Sequence, residues 1–401
     1  MYRGWTVSLV AQSLMLSFGI IMGVYAFRGF DLPNLNHRYD YVVAYVSGNL
    51  FGIGLTLIPL LIMHPRIGRE GLFLTFLLGI TLFPLINFLG FRAIAAKMPP
   101  LKFLVVGIND ELLHTLKEIE AASVGKIQMC NTTNPEPDRL NHLITHANGH
   151  NAILVGDLEF ARNYRASLDL AESQGVTIEY VPRLAERILQ RIPIEILEIY
   201  HDYYDVVFST TSNSAALRAF DIVFSLILLP FLMPLMGLGM LLVLLLDGRP
   251  IFFLQKRHGY LGRKFPVYKL RTMDNVTDEN GKKAVKLTRS GRFLRKTRLN
   301  EIPQILNVLK GHMSLVGSRP DIRTTYAFCT KCIPFYARRN AIRPGITGHA
   351  QVRYRYVDKV EYETFARRLS FDLYYIKNIS FNLYLRIALR TVETMLFKRG
   401  T

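Results

Sequence analysis

From Ala219 to Leu246 the chain reads AFDIVFSLILLPFLMPLMGLGMLLVLLL. The run holds 28 residues, more than the roughly 20 that a helix needs to cross a bilayer. Its one charged residue, Asp221, stands near the start, just after Arg218. Pro230 and Pro234 sit four apart in its middle. Each removes a backbone donor and bends a helix. A bent helix can enter and leave a membrane on one face, which keeps the segments before and after it on the same side. A straight crossing would part them, and the charge distribution suits that less well. The run therefore reads as a re-entrant membrane helix over 219–246.

Upstream lie three more apolar runs without a charged residue, Trp5–Phe27, Tyr41–Met63 and Gly71–Phe91. Each is long enough to span a bilayer, and the glycines and prolines they hold are tolerated in membrane helices. The first shows no clear small-residue cleavage site, so it reads as a span and not as a signal peptide. Residues 1–98 are thus expected to form about three transmembrane helices. Between them and the re-entrant run, residues 99–200 alternate strand and helix patterns. Leu101–Gly107, Asn151–Val155 and Thr177–Val181 read as buried strands, and Asn109 or Asp110 as a helix cap. Such alternation implies a small doubly wound, Rossmann-like α/β module. No G-x-G-x-x-G accompanies it, so a regulatory or interaction role is favoured over dinucleotide binding.

Downstream the chemistry changes. Net charge is +18, yet Ile251–Thr401 alone carries 31 Lys and Arg against 10 Asp and Glu, so the remainder is slightly acidic. A basic domain following membrane segments points to anionic headgroups, phosphorylated substrates or both. No recognition-helix or RNA-binding signature accompanies the charge, so nucleic acid is not an expected partner. The spans lack the buried polar residues of a transporter. Cys130, Cys329 and Cys332 imply no disulfide framework, and the lone C-x-x-C lacks a second ligand pair for a metal.

Within this domain Lys269 and Arg271 flank a short strand beginning at Phe265. Ser290–Arg298 reads as a helix on which Arg295 and Arg298 face together. Asn300-Glu301 follows, then Met313–Pro320 with Arg319, and the Gly- and Pro-shaped turn Ile342–Gly348 with Arg343. Arg binds phosphate oxygens in pairs and Lys as a point charge. A lone carboxylate, Glu301, amid such cations would be ionised and available to hold Mg2+ against a pyrophosphate. The far C-terminus, Leu369–Lys398, mixes apolar and basic residues. It suits either an amphipathic helix on the bilayer or packing against the domain.

Taken in order, Phe253–Gly259, Tyr268–Met273, Leu299–Gly311, Met313–Pro320, Arg343–Gly348 and Phe371–Asn378 resemble the bacterial sugar transferases. These are also called polyprenyl-phosphate sugar-1-phosphate transferases, or monotopic phosphoglycosyl transferases. The resemblance covers about 215–398, and the N-terminal part resembles larger members in layout only. It implies a mixed α/β catalytic domain over 215–401 with the re-entrant helix at its start. It also implies a bacterial inner membrane protein whose catalytic domain lies on the cytosolic face. The partners would be a nucleotide sugar, usually a UDP sugar, polyprenyl phosphate and the bilayer; assembly as a homo-oligomer stays open. In such enzymes an Asp of an Asp-Glu pair attacks the phosphate next to the sugar and releases UMP, and polyprenyl phosphate then takes the phosphosugar. By position Glu301 corresponds to the Mg2+-binding Glu, Arg295 and Arg319 to phosphate-binding arginines, and Lys269 to a cation of the Tyr-Lys stretch.

One departure stands out, because Asn300 occupies the place of the nucleophilic Asp. An uncharged amide is a far poorer nucleophile. Either Asp was exchanged for Asn, or another carboxylate such as Glu301 or Asp274 serves, or the chain is a silent scaffold that binds nucleotide sugar without turning it over. His349 replaces the usual Trp after the Arg-Pro-Gly-Ile-Thr-Gly turn, Gly317-Ser318 replaces Gly-Pro, and Arg353-Tyr354 replaces Asn-Gly.

Overall fold

The computed structural model describes residues 14–25, 27, 29, 44–54, 56, 74, 77–78, 81–123, 125–133, 152–210, 214–277, 283–354 and 361–396. The chain forms two compact units, Met1–Gln190 and Arg191–Thr401.

In the first unit, much of the three expected spans lies outside the described residues. An apolar helical segment, Leu14–Tyr25, meets a second over 44–54. Gly19 and Gly23 are four apart on one, Gly48 and Gly52 on the other. A Cβ on Gly23 would lie 2.0 Å from the Gly48 carbonyl oxygen, and one on Gly52 would lie 2.2 Å from that of Gly19. The two backbones therefore touch, running antiparallel, as small-xxx-small pairs allow. Gly48→Val is expected to cost about 1–3 kcal/mol by forcing the pair apart, as inserting bulk into a packed core does. A thermal melt in detergent measures it. Helix α1, Leu82–Lys97, runs beyond the expected end of the third span at Phe91.

After α1 come β1 (Leu101–Val106), α2 (Asp110–Ala122), β2 (Ile127–Thr133), β3 (Ala152–Val155), α3 (Leu158–Asn163), α4 (Arg165–Ser173), β4 (Thr177–Tyr180) and α5 (Val181–Leu189). The four strands form one parallel sheet in the order β2-β1-β3-β4. Leu104, Val106, Ile153, Val155, Phe160 and Leu168 form a core on it. Gly107 takes a φ of +65°, and a Cβ there would lie 2.8 Å from Phe160. One on Gly156 would lie 2.6 Å from the Gly107 carbonyl oxygen. Phe160 and the Gly107 carbonyl thus pack closely against the turns that follow β1 and β3. Asp157 caps α3 by accepting from the Glu159 and Phe160 amides at 3.1 and 3.3 Å.

The second unit opens with α6 (Ile194–Ile199) and α7 (His201–Ser209), followed by α8 (Ala215–Asp247). Helix α8 runs 33 residues without interruption through Pro230 and Pro234, about 50 Å at the usual rise. Among the described residues it is the one helix long and apolar enough to cross a membrane. Most of its apolar side chains are exposed, Phe231 and Leu245 each by 71%. Hairpins β5/β6 (Phe252–His258, Lys264–Leu270) and β7/β8 (Met273–Thr277, Lys283–Leu287) are antiparallel. Then come α9 (Arg289–Lys296), a 3-10 turn over Leu299–Gln304, α10 (Ile305–Leu309), β9 (Ser314–Val316) and α11 (Arg323–Cys332). A further 3-10 turn, Tyr336–Ala341, leads to β10 (Gly345–Thr347), which pairs in parallel with β9. Helices α12 (His349–Arg353), α13 (Tyr362–Lys377) and α14 (Phe381–Leu396) finish the chain.

Two small cores set the frame. Val243 of α8 packs on Leu270 and Leu294, and Phe265 and Val267 pack on Val308 and Met313. Each such buried side chain stabilises by about 1.5–3 kcal/mol. Helix α13 is buried on nearly all sides, and Tyr384 and Ile387 of α14 are buried too. The C-terminal helices thus pack against the domain.

Candidate active site

Helix α9 ends at Lys296, and Arg298 takes a φ of +57°, in the left-handed region. That reversal starts the 3-10 turn bearing Asn300 and Glu301. Helical spacing therefore does not carry from Arg295 to Arg298, and the expected shared face is corrected. Strand β6 brings Lys269 to the turn, and the loop after β9 brings Arg319. Lys269 Nζ donates to Glu301 Oε1 at 3.0 Å, and Arg319 Nη2 donates to the same oxygen at 3.3 Å. Arg298 Nη1 lies 3.8 Å from Oε2. Three cations thus surround one carboxylate and leave a local excess of about two positive charges.

Burial works to raise the Glu301 carboxyl, but Arg319, Lys269 and Arg298 overcome it and hold it at about 2. Burial pulls the Lys269 ammonium below its usual range. Glu301 opposes that pull, but Arg319 and Arg257 add to it, so the lysine is the less satisfied partner. Asn300 is 8% exposed, and its carboxamide makes no hydrogen bond among the described residues. Arg319 Nη1 also reaches Gln351 Oε1 at 3.5 Å, while Gln351 Nε2 is buried without a partner among them.

A buried layer fixes the loop that carries Arg319. Arg339 donates Nε to Asp372 at 2.9 Å, Nη1 to Asp321 and to the Tyr336 hydroxyl, and Nη2 to the Arg319 carbonyl at 3.1 Å. Burial works to lower the Arg339 guanidinium, but Asp321, Tyr336 and Asp372 hold it well above its usual range. Arg257 Nη1 donates to the Pro320 carbonyl at 2.7 Å, and Ser318 Oγ to that of Arg339 at 3.2 Å. Nothing in local sequence signals this layer, because Asp321, Arg339 and Asp372 are far apart along the chain.

The other expected site residues fall elsewhere. Arg271 pairs with Asp274 at 2.9 Å and donates to the Asp247 and Gly248 carbonyls, so it clamps the end of α8 and occupies Asp274. Arg295 reaches Met273 Sδ at 3.6 Å on the surface. Arg343 donates Nε to the Gly311 carbonyl at 3.1 Å and lies over the Tyr260 ring. His349 is buried, stacked on Tyr374 and edge-on to Phe371. Cys329 is buried, Cys332 is exposed, and both are free.

Comparison with known proteins fits this geometry. Residues 212–398 match the model of the bacterial sugar transferase family. A UDP-N-acetylgalactosamine-undecaprenyl-phosphate N-acetylgalactosaminephosphotransferase of Aeromonas hydrophila is 33% identical over 226 residues, 55% of this chain and 52% of that protein. A UDP-glucose:undecaprenyl-phosphate glucose-1-phosphate transferase of Caulobacter vibrioides is 39% identical over 186 residues, 45% of this chain and 69% of that protein. The exopolysaccharide production protein PSS of Rhizobium leguminosarum is 38% identical over 188 residues, 45% of this chain and 94% of that protein. The shared part spans about half of the Aeromonas protein and nearly all of the Rhizobium one. On that match the chain belongs to the bacterial sugar transferases.

Proposed function

We propose that this chain transfers a sugar 1-phosphate from a UDP sugar to polyprenyl phosphate and so starts a surface glycan. The observation that carries the reading is the ring of Lys269, Arg298 and Arg319 around Glu301. Its excess of about two charges matches a pyrophosphate. The names of the Aeromonas and Caulobacter relatives, both undecaprenyl-phosphate sugar phosphotransferases, support it, and the name of the Rhizobium relative supports an exopolysaccharide as the product. The strand order of the N-terminal sheet supports the doubly wound reading, and the two prolines that remove backbone donors midway along the otherwise continuous helix α8 support a re-entrant course for it. The catalytic domain then lies on the cytosolic face of the bacterial inner membrane, where nucleotide sugars are. A homo-oligomer is compatible with this reading but is not required by it.

Lys269 and Arg319 bind and orient the pyrophosphate, and Glu301 keeps both cations placed before substrate arrives. Magnesium fits this arrangement. Among the described residues Glu301 Oε2 has Arg298, at 3.8 Å, as its one ion-pair partner, and this oxygen would hold the ion. When bound it offsets charge on the pyrophosphate. Asn300 supplies amide donors and no attacking charge, Glu301 is engaged by cations, and Asp274 is tied to Arg271. The acceptor therefore attacks directly: an oxygen of polyprenyl phosphate bonds to the phosphorus next to the sugar as the bond to UMP breaks, and UMP leaves with the electron pair.

Labelled UDP sugar tests this. The native chain is expected to release UMP only when polyprenyl phosphate is present. Asn300→Asp is expected to release UMP without acceptor and to retain the label on the protein. A burst of UMP from the native chain without lipid would instead assign the attack to one of its own carboxylates, Glu301 first.

A further inference from the structure

We propose that Gln351 is a further substrate-binding residue, whose side-chain amide donates to a pyrophosphate oxygen of the nucleotide sugar. The inference deepens the transferase reading and rests on it. It starts from the backbone that sets Gln351 in place. Strand β9 runs into the loop that bears Arg319, and β10 runs into α12, which bears Gln351. The two connections are fastened to each other. The Gly317 amide donates to the Thr347 carbonyl at 2.8 Å, and the Gly345 amide to that of Ser318 at 2.9 Å. A Cβ on Gly348 would lie 2.1 Å from the Gly317 carbonyl oxygen, so the turn before α12 touches the Arg319 loop directly. Main chain as well as side chains therefore hold Gln351 beside Arg319.

The carboxamide has one end engaged and one end free. Arg319 Nη1 donates to Oε1 at 3.5 Å. A guanidinium has no acceptor, so the oxygen must face it and Nε2 must face the other way. There Nε2 is buried and has no hydrogen-bond partner among the described residues. A buried donor left unpaired carries a desolvation cost, which a bound acceptor removes. Its missing partner is thus an acceptor beside an arginine already turned to Glu301. A pyrophosphate meets that description, because its free oxygens accept and none donates; sugar hydroxyls do both. Arg319 makes only long contacts, 3.5 Å to Gln351 and 3.3 Å to Glu301, so its fork can turn onto ligand oxygens without losing strong bonds. As the fork turns, Gln351 is released to follow it, which brings Nε2 to the same ligand.

The test is calorimetric binding of UDP and of UDP-glucose, with Mg2+, to the purified full chain in detergent, without acceptor lipid. Gln351→Met keeps the length of the side chain and removes both polar ends. Gln351→Glu keeps an acceptor for Arg319 and replaces the donor with a negative oxygen. Melting curves verify that both fold. Both ligands are expected to bind about tenfold more weakly to Gln351→Met, the worth of one hydrogen bond to a charged group. Binding to Gln351→Glu should be weaker still, because an anion then meets the pyrophosphate. Gln351→Glu binding UDP like the native chain would reduce Gln351 to holding Arg319 and overturn the proposal. Weakening with UDP-glucose but not with UDP would move the contact to the sugar and overturn it too, as would folded variants that both bind like the native chain. In each of these cases, UDP binding by the native chain leaves the transferase reading standing. A native chain that binds neither UDP nor UDP-glucose would overturn both.

Discussion

Arg339→Ala is expected to destabilise the C-terminal unit by about 3–5 kcal/mol, the usual cost of leaving buried charges unpaired. For a unit of this size that lowers Tm by about 6–20 °C. The guanidinium holds Asp321 and Asp372 together, and both lose their cation at once. Burial already pushes the Asp372 carboxyl above its usual range against Arg339 and Arg368, so without Arg339 it takes up a proton. The Arg319 carbonyl loses its donor in the same step, which loosens the loop at the site. Arg339→Lys keeps the charge but cannot satisfy four acceptors from one fork, so it should fall between. Thermal and denaturant melts of both variants measure this. A melt of Arg339→Ala within 1 °C of the native one would mean that the network contributes little.

Glu301→Gln is expected to reduce sugar phosphate transfer by at least about a hundredfold, the scale of losing one preorganised electrostatic group. It should also cost stability, because Lys269 and Arg319 would be left close together without an anion. The carboxyl falls from 4.5 to about 2 on folding. That shift corresponds to about 3 kcal/mol at neutral pH. Because the folded value is the lower one, the contribution is complete above about 4.5 and is lost as pH falls towards 2. The stability gap between native and Glu301→Gln should therefore be flat from neutral pH to about 5 and close below it. A gap that instead closes on the alkaline side would assign the effect to Lys269. Substrate affinity should change less than turnover, since the three cations that meet the pyrophosphate remain.

Which parts were legible in the sequence follows from how local their signals are. Helix α8 and strands β1, β3 and β4 each announce themselves within a few residues, and their ends hold to within four residues. Strand β2 escaped because Ile127-Gln-Met-Cys-Asn-Thr-Thr133 is an edge strand with polar residues, not a continuous apolar run. The glycine contacts between the first helices are not legible in either run alone, because Gly19 and Gly23 gain their meaning only from the matching pair Gly48 and Gly52 on the other helix. At the site, Lys269, Arg319 and Glu301 converge as the sequence suggests. Arg271, Arg295 and Arg343 carry the same chemical type but find other partners, since charge alone does not say which way a loop turns. The Asp321–Arg339–Asp372 layer spans three separate elements and is invisible without the fold.

The most direct test of the account is transfer itself. Membranes carrying the native chain are incubated with radiolabelled UDP sugars, Mg2+ and undecaprenyl phosphate, beside Asn300→Asp and Glu301→Gln. The account predicts UMP release and label in the lipid fraction with the native chain, dependent on added lipid and lost in Glu301→Gln. Label that never reaches the lipid with either the native chain or Asn300→Asp, for every UDP sugar supplied, would contradict it.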